Sequence, residues 1–306
     1  MEYYKLPQSD LTVSKIALGC MRISGKSVEE VEELVKTALD LGINFFDHAD
    51  IYGGGKSEEV FGEVLKRHPE YRAKMILQTK CGIVPGKRYD FSKEHILQCV
   101  NDSLKRLNTD HVEILLLHRP DALCDPQEVA EAFDELYQAG KVKYFGVSNH
   151  TPLQIDLLKK YSKYPLIINQ LQLSIVHSVM IDSGLNMNMK EAFAQDKDGG
   201  VLDYCRLNDI TIQPWSSIQA SWAEGTFIDH PDYQKLNDVM QEIANKYHVT
   251  KPTIAIAWLL RHPAKMQPIV GTTSPIHLKE ISEACKIQLT RQEWYDLYLA
   301  SDKPLP

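Results

Sequence analysis

The sequence predicts an α/β fold, a (β/α)8 TIM barrel preceded by a β-hairpin, on three observations. Eight short apolar runs recur along its 306 residues, each ending in a small or polar residue: IALG-Cys20, NFF-Asp47, MILQT-Lys80, EILLL-His118, YFGV-Ser148, LIIN-Gln170, ITIQP-Trp215 and PIV-Gly271. A helix-like stretch separates successive runs, so strand, helix and strand repeat at roughly thirty residues or more, the size of a βαβ unit. Asp47, Tyr52, Lys80 and His118 fall at or just past the ends of the second, third and fourth runs. In such a barrel the C-terminal strand ends form the active-site rim.

The elements follow in order. EYYKLPQSDLTVSKI alternates about a polar turn at Gln8, Ser9 and Asp10 and reads as a hairpin able to plug the barrel bottom. Ser27 precedes VEEVEELVKTALDLG with Glu30 three residues on, a capping box, and Gly42 closes that helix. The same reasoning places helix starts at Ser57, Ser92 and Pro126, and further helices at PLQIDLLKKY, GGVLDYCRLN, DYQKLNDVMQEIANKY, KPTIAIAWLLRH and SPIHLKEISEAC. Two rim connections are long, one after Gln170 and one after Trp215. Long loops in compact domains commonly act as lids or binding walls, and Met180, Met187 and Met189 give the first an adaptable apolar surface; ordinary loop packing is the other reading. No Pro-, Gly- or Ser-rich linker interrupts the chain, so residues 1–306 are expected to form one barrel domain.

Composition narrows the function. A hydrophobic content of 43% against 25% charged residues is that of a globular protein with a substantial core. No apolar stretch approaches the roughly 18 residues of a membrane span, and MEYYKLPQSD lacks a secretory pattern, so a cytoplasmic address is expected. Six scattered cysteines without CxxC spacing argue for reduced thiols; Cys81 beside Lys80 is either redox-sensitive or a buried, inert thiol, and the inert thiol is the expectation. A net charge of −7 with no basic run makes nucleic acid an unsuitable partner. A small-molecule ligand and a monomer or weak homo-oligomer are expected.

The rim residues make a proton-delivery site. A phenol ordinarily titrates near pH 10, too high for ready proton exchange at neutrality. A neighbouring ammonium lowers that value, so Lys80 is expected to bring Tyr52 down toward the working range. Asp47 can hold Lys80 charged, and His118 can donate a hydrogen bond to a substrate oxygen. Together they suit a carbonyl becoming an alcohol, with the electron pair coming from a cofactor.

NFFDHADIYGGGKSEEVFG, MILQTKCG, ILLLHRPD, KVKYFGVSN and IINQLQ together resemble the aldo-keto reductases, and DHADIYGG and KCGI resemble a bacterial carbonyl-reductase branch of that family. The resemblance implies Tyr52 as general acid, Lys80 and Asp47 as the pair tuning it, and His118 as the carbonyl-orienting residue. It also implies a nicotinamide cofactor across the rim. Ser148, Asn149 and Gln170 would hold the carboxamide; Trp215 would stack on the nicotinamide, or simply pack in the core. Met21, Arg22 and Asp47 would border cofactor and substrate, and Ser216 and Ile218 would line the pyrophosphate arm. Gly271, Thr272, Thr273, Ser274 and His277 would meet the adenosine phosphates at a helix start, and Glu280 the adenine.

Many family members carry Lys or Arg where Gly271 and His277 stand, so the 2′-phosphate of NADP meets less fixed charge here. NADP(H) is the expected cofactor from the family norm, with NAD(H) the alternative. Arg119 can meet an anionic substrate or form an ion pair with Asp121; the ion pair is the expectation. No metal is expected: DIYGGGKSEEV departs from a P-loop because Asp50 stands at the first glycine position, and His48, Asp50 and His118 make a poor ligand set. A nicotinamide-sensing subunit without catalysis is the remaining rival, and the presence of His118 favours an enzyme reducing aldehydes or ketones.

Overall fold

The computed structural model describes residues 1–221 and 223–305, and each of the eight apolar runs is a strand in it. After an antiparallel hairpin of β1 (Tyr3–Lys5) and β2 (Thr12–Ser14), the barrel strands are β3 (Ala17–Gly19), β4 (Phe45–Asp47), β5 (Ile76–Cys81), β6 (Val112–Leu117), β7 (Val142–Ser148), β8 (Leu166–Gln172), β9 (Thr211–Trp215) and β10 (Ile269–Val270). They pair in parallel in chain order from β3 to β9, with β10 on the free side of β3. At the seam Gln267 N donates to Ile212 O at 3.1 Å, drawing the ends of the sheet together.

Successive side chains of a strand point to opposite faces, and that alternation places the rim. Phe45, Ile76, Ile114, Leu116, Ile168 and Ile269 fill the barrel interior together with Leu6 and Val13 of the hairpin segment, which plugs the bottom as expected. Stepping by two along the same strands reaches Asp47, Lys80, His118, Gln170 and Gly271 at the upper end. The intervening residues, among them Leu77, Leu115, Phe145 and Ile212, face the helices and join the outer core. Gly146 is required on the inner face: a Cβ there would lie 2.7 Å from Leu116 and 2.8 Å from the Ile168 carbonyl.

The α-helices of seven residues or more are α1 (Val28–Asp40), α2 (Lys56–Arg67), α3 (Lys93–Arg106), α4 (Pro126–Gln138), α5 (Pro152–Tyr161), α6 (Val179–Leu185), α7 (Val201–Leu207), α8 (Gln234–Tyr247), α9 (Lys251–Arg261), α10 (Pro275–Ser282) and α11 (Arg291–Ala300). Ser27 and Glu30 form the expected capping box. Ser57 does not cap: α2 starts one residue earlier, after Gly55, and the Ser57 hydroxyl donates to Met21 O at 3.2 Å, tying the first two rim loops together. The connection after β8 is partly helical, with Met180 packed into the core as part of α6 and Met187 exposed. Among the described residues no helix is long and apolar enough to cross a membrane.

The C-terminal helix supplies a pH test of stability. Glu293 accepts hydrogen bonds from Lys246 Nζ (2.6 Å), Thr290 N (2.7 Å) and the Tyr247 hydroxyl (2.9 Å). Burial pushes its pKa up, but these donors outweigh burial and hold it at about 2 against an ordinary 4.5. Because the folded value lies below the unfolded one, this stabilisation is complete above about pH 4.5 and is lost as pH falls toward 2. Denaturant unfolding of Glu293→Gln across that window is expected to show a shallower acid loss of stability than the parent. Parallel slopes would contradict it.

Candidate active site

Tyr52 reaches the rim because the chain behind it turns through glycine. Gly53, Gly54 and Gly55 all have positive φ (58°, 65° and 93°), and a Cβ on Gly53 would lie 2.3 Å from Ser24. The three glycines therefore make a tight loop between β4 and α2, as the sequence indicates.

Beneath Tyr52 lies a buried ion pair. Lys80 Nζ is 2.8 Å from each carboxylate oxygen of Asp47, and both side chains are shielded from water. The ammonium also donates to the His48 carbonyl (2.8 Å) and to the Tyr52 hydroxyl oxygen (2.9 Å). Burial opposes the charge on Lys80, but Asp47 and Tyr52 outweigh it and raise the lysine above its ordinary value. For Tyr52 the balance is the reverse of the sequence expectation. Burial of the hydroxyl raises the phenol more than Lys80 lowers it, and Asp47 adds to the rise. Tyr52 is held as a protonated phenol with its ring open to the cavity.

His118 follows β6 and sets its ring 6.0 Å from that of Tyr52 at 83°. Burial, Lys80 and Arg119 drive its pKa well below the histidine range, so the ring is neutral. Its Nδ1 is buried without a partner. His48 and Asp50 do not join it: the His48 ring lies 4.5 Å from Phe61, and Asp50 interacts with Cys99 on α3. Burial, reinforced by Cys99, Asp50 and Glu58, pushes the Cys81 thiol well up, which keeps it an unreactive thiol.

Asp47 is held from below by a set of glutamines, of which only Gln170 was singled out from the sequence. Gln78 Nε2 and Gln170 Nε2 both approach Asp47 Oδ1, at 2.6 and 3.0 Å. The same two nitrogens lie 2.9 and 3.1 Å from Gln213 Oε1. Gln213 Nε2 meets Gln267 Oε1 at 2.8 Å, and Gln267 Nε2 meets Ser14 O at 2.7 Å. The available signal was a glutamine inside an apolar run at inward parity, as in MILQTK and ITIQP.

These groups open on a cavity of about 820 Å³. Met21, Arg22, Asp47, Tyr52, His118, Ser148, Asn149, Gln170, Trp215, Ser216, Ile218, Gly271, Thr272, Thr273 and His277 all line it. Ser274 does not; its hydroxyl caps α10 by accepting from His277 N at 3.4 Å. Glu280 also lies outside the lining, and its carbonyl accepts from Thr253. The loop after β9 forms one wall through Ser217, Gln219, Thr226 and Ile228, while no described residue between Gln170 and Trp215 reaches the cavity. Trp222, within the loop after β9, lies outside the described residues.

Two charges are placed differently from expectation. Arg119 forms no ion pair with Asp121; its guanidinium lies 5.7 Å over the Trp215 ring, while the Asp121 carboxylate accepts from the backbone of Phe91 and Leu123, each at 2.9 Å. Arg22 Nη1 lies 3.9 Å from where a Gly271 Cβ would stand. A permanent cation thus reaches the loop that leads into α10 from the far end of the chain.

The family model described as Aldo/keto reductase family matches residues 15–298. The chain belongs to that family. As an aldo/keto reductase, and thus an oxidoreductase, it is 33% identical over 300 residues to oxidoreductase YdhF of Escherichia coli, covering 94% of this chain and 93% of that one. It is 34% identical to a 6-dehydroglucose reductase of Novosphingobium aromaticivorans, over 98% of this chain and 95% of the other. Among solved structures it is similar to the thermostable aldo-keto reductase Tm1743 in complex with the inhibitor epalrestat, with a TM-score of 0.79, 25% identity, and coverage of 98% and 100%.

The polar wall of this aldo/keto reductase fits part of a nicotinamide carboxamide. The Ser148 hydroxyl donates to Gln170 O (2.9 Å) and accepts from Asn149 Nδ2 (2.8 Å). Asn149 Oδ1 accepts from Trp215 Nε1 at 3.2 Å, which fixes the indole. Gln170 uses its nitrogen on Asp47 and Gln213, which leaves its Oε1 as the acceptor open to a carboxamide N–H.

Proposed function

We propose that this aldo/keto reductase reduces aldehydes or ketones to alcohols using NADP(H), with Tyr52 as general acid. One observation carries the reading: the three N–H donors of Lys80 are taken by Asp47, the His48 carbonyl and the Tyr52 oxygen. The Tyr52 hydroxyl oxygen accepts from an ammonium that cannot accept in return. Its own proton is therefore free to point into the cavity, toward a carbonyl oxygen.

Nicotinamide, when bound, supplies the hydride that no side chain can provide. The chain does the rest. Asp47 keeps Lys80 charged, Lys80 holds the phenol oxygen in place and stabilises negative charge developing on it, and Tyr52 gives up its proton as the alcohol forms. A neutral His118 with its proton on Nε2 can donate to the same carbonyl oxygen and orient it. The 6-dehydroglucose reductase name of two relatives supports a carbonyl substrate.

Arg22, with the α10 N-terminus and the Thr272 and Thr273 hydroxyls, supports NADP(H) over NAD(H). The reaction itself is tested by following NADPH and NADH oxidation with an aromatic aldehyde. Binding of both nucleotides without turnover would instead make the protein a nicotinamide-sensing subunit.

A further inference from the structure

The charge lining the cavity is out of step with the chain that builds it. The protein carries a net −7, yet the lining holds two arginines, Arg22 and Arg119, and one carboxylate, Asp47. The Asp47 charge is matched by Lys80 at 2.8 Å. Two guanidinium groups are thus left facing a ligand space with no countercharge. They stand at different places in it: Arg22 beside Gly271, in the loop before α10, and Arg119 next to His118 and over Trp215.

Arg119 has no partner of its own. Among the described residues its guanidinium makes no hydrogen bond and no ion pair, and the nearby Asp121 is occupied by backbone amides. A guanidinium presents five N–H donors in a planar fork that matches a carboxylate through two parallel hydrogen bonds. A cation–π contact at 5.7 Å from the Trp215 ring uses none of these N–H donors. The Trp215 ring is itself anchored through Nε1 to Asn149, and Arg119 and Tyr52 line the same cavity.

Resting on the reductase reading above, we propose that Arg119 recognises a carboxylate on the substrate, so that the preferred substrates are aldehydes or ketones bearing a carboxylate group. Arg22 serves the anionic end of the cofactor, and Arg119 the anionic end of the compound reduced.

The test compares 3- and 4-carboxybenzaldehyde with their methyl esters, which keep the aldehyde and ring but lose the charge. In the parent enzyme kcat/KM for the better acid is expected to exceed that of its ester by about tenfold or more, mainly through KM. Arg119→Met should collapse that ratio to near or below one, and Arg119→Lys should retain part of it. Added salt should lower the ratio in the parent enzyme as the charge is screened. This arm decides the matter even if Arg119→Met fails to fold. A ratio that is insensitive to salt or unchanged by Arg119→Met overturns the assignment, as does a parent enzyme that favours both esters. Absence of turnover with the esters and either nucleotide overturns the reductase reading itself, and the substrate assignment falls with it.

Discussion

Tyr52→Phe is expected to abolish carbonyl reduction while leaving nucleotide affinity nearly intact. The substitution removes one oxygen from a ring that otherwise keeps its place beside His118. General acid catalysis contributes about 10²–10⁴ in rate, and at least that much should be lost from kcat. In the proposed site the nucleotide is held by Gln170, Trp215, Arg22 and the loop before α10, none of which hydrogen-bonds the Tyr52 hydroxyl; its protein partner is Lys80. Steady-state rates beside a fluorescence titration of bound NADPH separate the two effects. Loss of both together would make Tyr52 a structural residue.

Lys80→Met should produce the second large effect, on rate, pH dependence and stability at once. In the parent, burial keeps the phenol protonated despite Lys80. Reduction, which uses the phenol, should therefore be flat through neutral pH and decline only in the alkaline range, whereas alcohol oxidation, which needs the phenolate, should rise with pH. Lys80 lowers the Tyr52 pKa against burial, so its removal raises that pKa further. The alkaline limb then moves to higher pH, and alcohol oxidation near neutrality falls by on the order of 10²-fold or more. Asp47, 2% exposed, is left as a buried carboxylate without its countercharge. The expected cost is about 3–5 kcal/mol of stability, readable by denaturant unfolding. An unmoved pH profile in a folded Lys80→Met protein would exclude Lys80 from tuning Tyr52.

The barrel was legible because a parallel strand covered by helices must be apolar and must end abruptly, and all eight run ends coincide with the rim or lie within two residues of it. The placement of Asp47, Tyr52, Lys80 and His118 on that rim was legible for the same reason: position relative to a strand end is a property of the chain. Properties that depend on which distant segments meet were not. Whether burial or Lys80 prevails at Tyr52 turns on how deep the hydroxyl sits, and spacing carries no depth. Arg22 and Gly271 lie nearly the whole chain apart in sequence, and only closure of β10 against β3 brings them together. Arg119 was expected to pair with Asp121 by proximity along the chain, but two backbone amides took that carboxylate first. Ser57 resembled a cap, but the glycine turn let α2 begin before it.

The glutamines under Asp47 form a one-way chain. Ser14 offers a carbonyl, which can only accept, so Gln267 must present its nitrogen there and its oxygen to Gln213. Gln213 must then turn its own oxygen upward, where only nitrogens of Gln78 and Gln170 can meet it. Each of those nitrogens has one hydrogen remaining, and both point at the same oxygen of Asp47. No single amide can flip without setting oxygen against oxygen, so the orientation is fixed for all four at once. The peptide that closes the hairpin at the foot of the barrel therefore dictates that Asp47 receives hydrogens and never lone pairs. The hairpin that seals the barrel against water thus also sets the polarity of its active site, from the opposite end of the molecule.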